Sequence, residues 1–150
     1  MLVNRRAVRI EWADCDPAGI VYYPRYFEMF DSSTHRLFEA AGWKKRELLS
    51  EFGIAGYPMV DTRAKFIAPS AFGDDIVIET RIAAFRNSSF DVAHKVFKPG
   101  EGGERLAIEA WETRVWVGRH PDDPARLRSR PIPPIVIARL SGHGEAADGS

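Results

Sequence analysis

The chain reads as an α+β domain in which a five-stranded antiparallel sheet wraps one long helix. Three observations predict this. Strand-like alternation occupies the N-terminal region, a single long stretch of helical period follows it, and four more β-like runs come after, separated by short turns. A domain of 150 residues buries about two thirds of its unfolded surface, enough for a core without metal or disulfide staples.

Each element follows from its residues. Val8, Ile10 and Trp12 alternate with Arg9 and Glu11, the period of a half-buried strand. Asp14, Asp16, Pro17 and Gly19 then mark a turn. Pro24 suits the first position of a helix, where its missing N–H breaks no bond. That helix is expected over 24–41, with Tyr26, Phe27, Phe30, Leu37, Phe38 and Ala41 forming an apolar stripe and Gly42 stopping it. A short second helix over 43–52 carries Leu48, Leu49 and Phe52 on one side, and is expected to lie over the mouth of a site. Strands are expected over 59–67, 76–85, 90–97 and 106–117. They are punctuated by Gly73-Asp74-Asp75, by Asn87-Ser88 and by the Pro99 to Gly103 run. Such short links make the pairing antiparallel.

Beyond Val117 come a turn-rich link, a basic cluster of Arg126, Arg128 and Arg130, and a short docking segment over 135–140. The domain is therefore 1–140, and the small, polar residues 141–150 are expected to be disordered. A sheet of this kind leaves long edges, which natural proteins cover. The strand with Trp111 and Trp116 is apolar enough to be expected against another subunit.

Composition narrows the chemistry. Lys plus Arg and Asp plus Glu both number 21, so no global field recruits nucleic acid or an anionic membrane. No apolar run approaches the length of a membrane span. The lone Cys15 excludes an internal disulfide and suits a reducing, cytoplasmic setting. Flanked by Asp14 and Asp16, its thiolate is disfavoured, so it is read as packing. His35, His94, His120 and His143 are scattered outside any ligand motif, so no metal is expected. Neither a phosphate-binding glycine loop nor a serine-nucleophile elbow is present.

What remains is a carboxylate and backbone dipoles. The stretch from Glu11 to Phe27 carries Asp16 through a turn into a helix whose first N–H groups, that of Tyr23 among them, lack intrahelical partners. Amides so placed can stabilise an oxyanion, while a carboxylate attacks a carbonyl or takes a proton from water. On spacing alone the simpler reading, that Asp14 and Asp16 only shape the turn and compensate the dipole, is the commoner one. Spacing alone leaves both readings open.

The run Asp14-Cys15-Asp16-Pro17-Ala18-Gly19-Ile20-Val21, followed by Tyr23-Pro24 and Tyr26, resembles the 4-hydroxybenzoyl-CoA thioesterase family of hotdog-fold proteins. The likeness spans about residues 9–134 and is dense only in this motif. It implies a hotdog fold and hydrolysis of an aryl thioester, 4-hydroxybenzoyl-CoA or a close analogue, to the free acid and CoA. Asp16 would be nucleophile or general base, the Tyr23 amide would hold the thioester oxygen, and Asp31 would accept a ring hydroxyl. Without the resemblance, Asp31 reads equally as a solvated helix carboxylate or a partner of His35 at i+4. Tyr57, Pro58 and Met59 are candidate pocket walls. The CoA phosphates need local cations, and Arg86 with Ser88 and Ser89, together with Arg126 and Arg128, are the candidates. Asn87 and Ser88 stand where relatives often carry positive charge. No cofactor is implied, since CoA is part of the substrate. The resemblance also implies a homodimer or a dimer of dimers, with sites between subunits. Two alternatives stay open: hydrolysis of short aliphatic acyl-CoA or acyl carrier protein substrates, and a scaffold that binds acyl-CoA without turnover.

Overall fold

The computed structural model describes residues 1–142, so most of the expected tail over 141–150 lies outside the described residues. Five strands, β1 (Val3–Arg9), β2 (Met59–Phe66), β3 (Asp75–Phe85), β4 (Ser89–Gly100) and β5 (Gly103–Val115), form one antiparallel sheet in the order β1-β3-β4-β5-β2. Helix α1 (Tyr23–Ala40) lies against it, and α2 (Lys45–Phe52) follows. The architecture is the α+β wrap expected from the sequence.

The inner face of the sheet follows the two-residue period of a strand: Ile76, Ile78 and Ile82 on β3, Phe90, Val92 and Val96 on β4, and Ile108 and Ala110 on β5 are all buried. Against them α1 buries Tyr26, Met29, Phe30, Leu37 and Phe38, and also Ser33 and Thr34. The two hydroxyls were not part of the apolar stripe read from the sequence. Ser33 is satisfied by its own helix, its Oγ donating to the Met29 carbonyl at 2.7 Å.

Four local expectations are corrected. Trp12 is not a strand residue. The chain leaves the ladder after Arg9, with the Ile10 N–H on Asp74 O and the Gly73 N–H on Ile10 O. It then winds a 3-10 turn over Trp12–Asp14, in which Asp14 Oδ2 accepts the Glu11 N–H. Trp12 ends exposed, edge-on to Phe72. Helix α1 begins one residue early, so Pro24 takes its second position, where a missing N–H is equally harmless. The last long strand stops at Val115. Val117–Arg119 (β6) instead pairs with Leu127–Ser129 (β7) in a separate two-stranded sheet. Finally, Trp116 is buried in this chain's own core beside Phe52, so it is not a subunit contact. Trp111 is half-buried, with the Arg63 guanidinium 4.1 Å above its ring.

The docking segment is helix α3 (Pro134–Leu140), whose Val136 and Leu140 close the core near the end of α1. At the opposite edge of the sheet from β1, β2 is paired on one side only and exposes Met59, Val60 and Phe66, with Ile67 just beyond it. No helix among the described residues is long and apolar enough to cross a membrane.

Candidate active site

The turn before α1 is held entirely by backbone and by Asp16. The Asp16 N–H donates to Ile20 O at 3.0 Å and the Gly19 N–H to Asp16 O at 2.9 Å. Gly19 has φ of 82°, a conformation that side chains with a Cβ resist. The Asp16 side chain closes the loop, Oδ1 accepting the Ala18 N–H at 2.8 Å. Asp16 is thus a turn-forming residue, as one reading of the spacing held. Among the described residues no donor meets its other oxygen, Oδ2.

The helix start beside this turn is uncapped. Tyr22, the N-cap, makes no side-chain cap bond, and Pro24 follows Tyr23. The Arg25 N–H turns back to Tyr22 O, but no acceptor among the described residues takes the Tyr23 N–H. This amide therefore points outward at the positive end of an 18-residue helix. Next to it an apolar cavity of about 220 Å³ is lined by Ile20, Val21, Tyr23, Tyr26, Phe66 and Ser70 among others. Asp16 is not among its lining residues.

Eight residues further along α1, Asp31 faces a second, polar cavity of about 550 Å³, lined also by His35, Lys45, Tyr57, Pro58 and Arg114. Three of the four expected pocket residues meet here. The fourth, Met59, lies outside the lining, exposed at the start of β2. Strand β2 runs back along α1, so Phe66 at its end packs against Tyr23 and Tyr26, with ring centroids 6.5 and 6.0 Å apart.

Asp31 is not chiefly a partner of His35, whose Nδ1 lies 4.0 Å from Oδ2. Its main partner is Arg114, Nη2 to Oδ1 at 2.7 Å, which the sequence reading missed. Arg114 is nearly buried, and its Nε donates to Glu112 Oε2 at 2.7 Å. That oxygen also takes the Thr34 hydroxyl at 2.9 Å, while Oε1 lies 3.0 Å from His94 Nε2. His94 Nδ1 in turn is 2.8 Å from Thr80 Oγ1. A signal for this chain existed: Thr80, His94, Glu112 and Arg114 share strand parity with the inward apolar residues of β3, β4 and β5.

Burial opposes charge on Glu112, but the bonds from His94 and Arg114 outweigh it and hold the carboxyl below its ordinary range. Lys45 is pulled down to about 8, first by burial and then by Arg114. Burial pushes the Tyr57 phenol upward.

The expected phosphate-binding residues lie near one end of the sheet. The Asn87–Ser88 turn receives the Ile132 N–H and the Trp116 N–H, and β7, carrying Arg128, packs on β6 just beyond Trp116. Arg126 and Arg128 are exposed. Arg86 is engaged: it clamps Asp91 with two bonds of 3.0 and 2.6 Å and donates to Ser89 Oγ at 2.8 Å.

A single helix wrapped by five antiparallel strands, with a carboxylate turn feeding the helix start, defines a hotdog-fold protein. A family model described as the thioesterase-like superfamily matches residues 10–140. This chain belongs to that superfamily and is a thioester hydrolase. It is 37% identical over 137 residues to a 4-hydroxybenzoyl-CoA thioesterase of Pseudomonas sp. (strain CBS-3), covering 89% of this chain and 94% of that protein. Among solved structures, it matches an Asp-to-Asn mutant of 4-hydroxybenzoyl-CoA thioesterase complexed with 4-hydroxybenzoyl-CoA. That match has a TM-score of 0.85 and 34% identity, covering 93% of this chain and 99% of the other. A gentisyl-coenzyme A thioesterase matches with a TM-score of 0.74 and 30% identity, covering 92% and 99%.

Proposed function

We propose that this chain hydrolyses an aryl-CoA thioester, 4-hydroxybenzoyl-CoA or a close hydroxybenzoyl or benzoyl analogue, to the free acid and CoA. The observation that carries this is the distance between two features of α1. The unpaired Tyr23 amide and the Asp31 carboxylate stand eight residues apart, about 12 Å along the axis. A para-substituted benzoyl thioester with a hydrogen bond at each end fills that length. The relatives named for aryl-CoA substrates point the same way.

In this reading the thioester oxygen rests on the Tyr23 amide, which stabilises the charge that develops there. Asp16 acts through its unpartnered Oδ2, as nucleophile on the carbonyl or as base toward water. Asp31 accepts the ring hydroxyl, and Tyr57 and Pro58 wall the ring. Arg126 and Arg128 meet the CoA phosphates with Ser88, while Arg86 and Ser89 brace the turn they share. The exposed β2 edge, with Met59, Val60, Phe66 and Ile67, is covered by a second copy, making a homodimer and, by pairing, a tetramer. A CoA substrate and a lone cysteine suit the cytoplasm.

The test is release of free thiol from 4-hydroxybenzoyl-CoA, benzoyl-CoA and butyryl-CoA by the purified protein. Fast turnover of the aryl thioesters with slow turnover of butyryl-CoA is expected. A preference for butyryl-CoA would transfer the assignment to aliphatic substrates, and tight binding without release would make the protein a scaffold.

A further inference from the structure

Lys45 stands at an unfavourable place for a cation, the first residue of α2, where the helix dipole is positive. It is nevertheless drawn inward. Its Nζ sits 3.2 Å from the centroid of the Tyr57 ring, whose ring in turn stacks on Phe38 at 4.6 Å. It lines the same polar cavity as Asp31. Among the described residues no carboxylate lies within ion-pair distance of it, whereas every other cation reaching Asp31 or Glu112 is matched to an anion. The aromatic face compensates part of the charge. An ammonium carries three N–H donors, however, and one ring face cannot take them all. At neutral pH, Lys45 remains mostly protonated, with its pKa near 8.

The cavity therefore holds an acceptor and a donor with spare capacity. Asp31 has lone pairs left after Arg114, and Lys45 has unused N–H groups. A carboxylate alone would accept from any group bearing a proton. An acceptor and an ammonium together match a group that donates and accepts through one atom, which is a hydroxyl oxygen.

We infer that Lys45 is a specificity-determining residue that donates a hydrogen bond to the oxygen of the substrate's ring hydroxyl while Asp31 accepts a hydrogen bond from that hydroxyl. This rests on the aryl-CoA reading above and names the second half of its ring recognition. It also answers a chemical difficulty. An acceptor on a para hydroxyl pushes electron density through the ring into the thioester carbonyl and makes it a poorer electrophile. A cationic donor on the same oxygen draws that density back. Lys45 thus favours the hydroxylated ring in binding and offsets the electronic penalty of holding it by Asp31.

The experiment compares kcat/KM for 4-hydroxybenzoyl-CoA and benzoyl-CoA in wild type, Lys45→Met, Lys45→Arg and Asp31→Asn, with thermal melts confirming that each variant is folded. In wild type the hydroxylated substrate is preferred. Lys45→Met is expected to shrink that preference about tenfold or more, the loss of one hydrogen bond to a charged group, and Lys45→Arg to restore most of it. If Asp31→Asn erases the preference but Lys45→Met leaves it intact, the inference about Lys45 falls and the aryl-CoA reading stands. If wild type hydrolyses both aryl thioesters without preferring the hydroxyl, the inference about Lys45 falls and the aryl-CoA reading stands; if it hydrolyses neither, both fall together.

Discussion

Arg114 crosses from the inner face of the sheet to helix α1 and places Nη2 2.7 Å from Asp31 Oδ1, joining the candidate ring-binding carboxylate to a buried polar chain. The two ends of this pair are unequal. The Asp31 side chain is 53% exposed and that of Arg114 only 4%. Arg114 would keep Glu112 and the Tyr57 carbonyl if Asp31 were removed. Asp31→Ala is therefore expected to cost no more than about 1 kcal/mol of stability, as for other half-exposed ion pairs. Its effect should instead appear in kinetics, as a selective loss on hydroxylated aryl thioesters. Denaturant melts and a two-substrate comparison check it, and an equal loss on both substrates would remove Asp31 from ring recognition.

Glu112 behaves in the opposite way. It is buried and serves Arg114, His94 and Thr34 at once, so Glu112→Gln removes the buried one of Arg114's two counter-charges and leaves only the half-exposed Asp31 carboxylate. Breaking a buried pair in this manner costs about 3–5 kcal/mol, enough to lower Tm by roughly 10 °C or more. The sign of its pH dependence follows from its pKa, held below the ordinary 4.5 in the folded chain. The stabilisation is complete above about 4.5 and is lost as pH falls through the lower folded value. The gap in unfolding free energy between wild type and Glu112→Gln should thus be wide at pH 7 and narrow in strong acid. A constant gap would contradict this account.

Lys45 gives a third expectation. Its pKa falls from 10.5 to about 8 on folding. Between those values the unfolded chain holds a proton that the folded chain has lost, so this group makes stability rise with pH across that window. Lys45 is only partly buried, so the slope is shallow. Lys45→Met should remove it, and the difference in Tm between wild type and variant, followed from pH 7.5 to 10, measures it directly.

The main elements were legible because each is marked by period and punctuation. The stripe of Tyr26, Phe30, Leu37 and Phe38 demands a helix, and the turns at Gly73, Asn87 and Gly102 separate strands whose alternation is strong. Strand order was less so, since β2 reaches the far edge through a crossover that local pattern does not encode. Strands β6 and β7 have three residues each, too few for a period to show. Trp12 misled because its place in the alternation ignores the competing bond from Glu11 to Asp14 that winds the chain. At the site, the helix start was readable from Pro24 and the turn residues. The partnership of Asp31 with Arg114 was not, because it joins residues 83 apart in the chain.

Asp16 is the residue on which the two readings of the turn before α1 make different predictions. Its Oδ1 accepts the Ala18 N–H, and an asparagine offers a carbonyl oxygen of the same shape for that bond. Asp16→Asn should therefore fold with nearly unchanged Tm. It cannot supply a nucleophilic or basic carboxylate, so turnover of 4-hydroxybenzoyl-CoA should fall about 10³-fold or more, which corresponds to roughly 4 kcal/mol of lost transition-state stabilisation. Asp16→Ala removes both roles and should lose activity and some stability together. A residue that only shaped the turn would give the reverse ordering: Asn nearly as active as wild type, and Ala impaired in proportion to its loss of fold. Single-turnover kinetics on the three proteins at matched folded concentration separates the two orderings, because chemistry on a single carboxylate oxygen and closure of a backbone turn respond differently to that one change of atom.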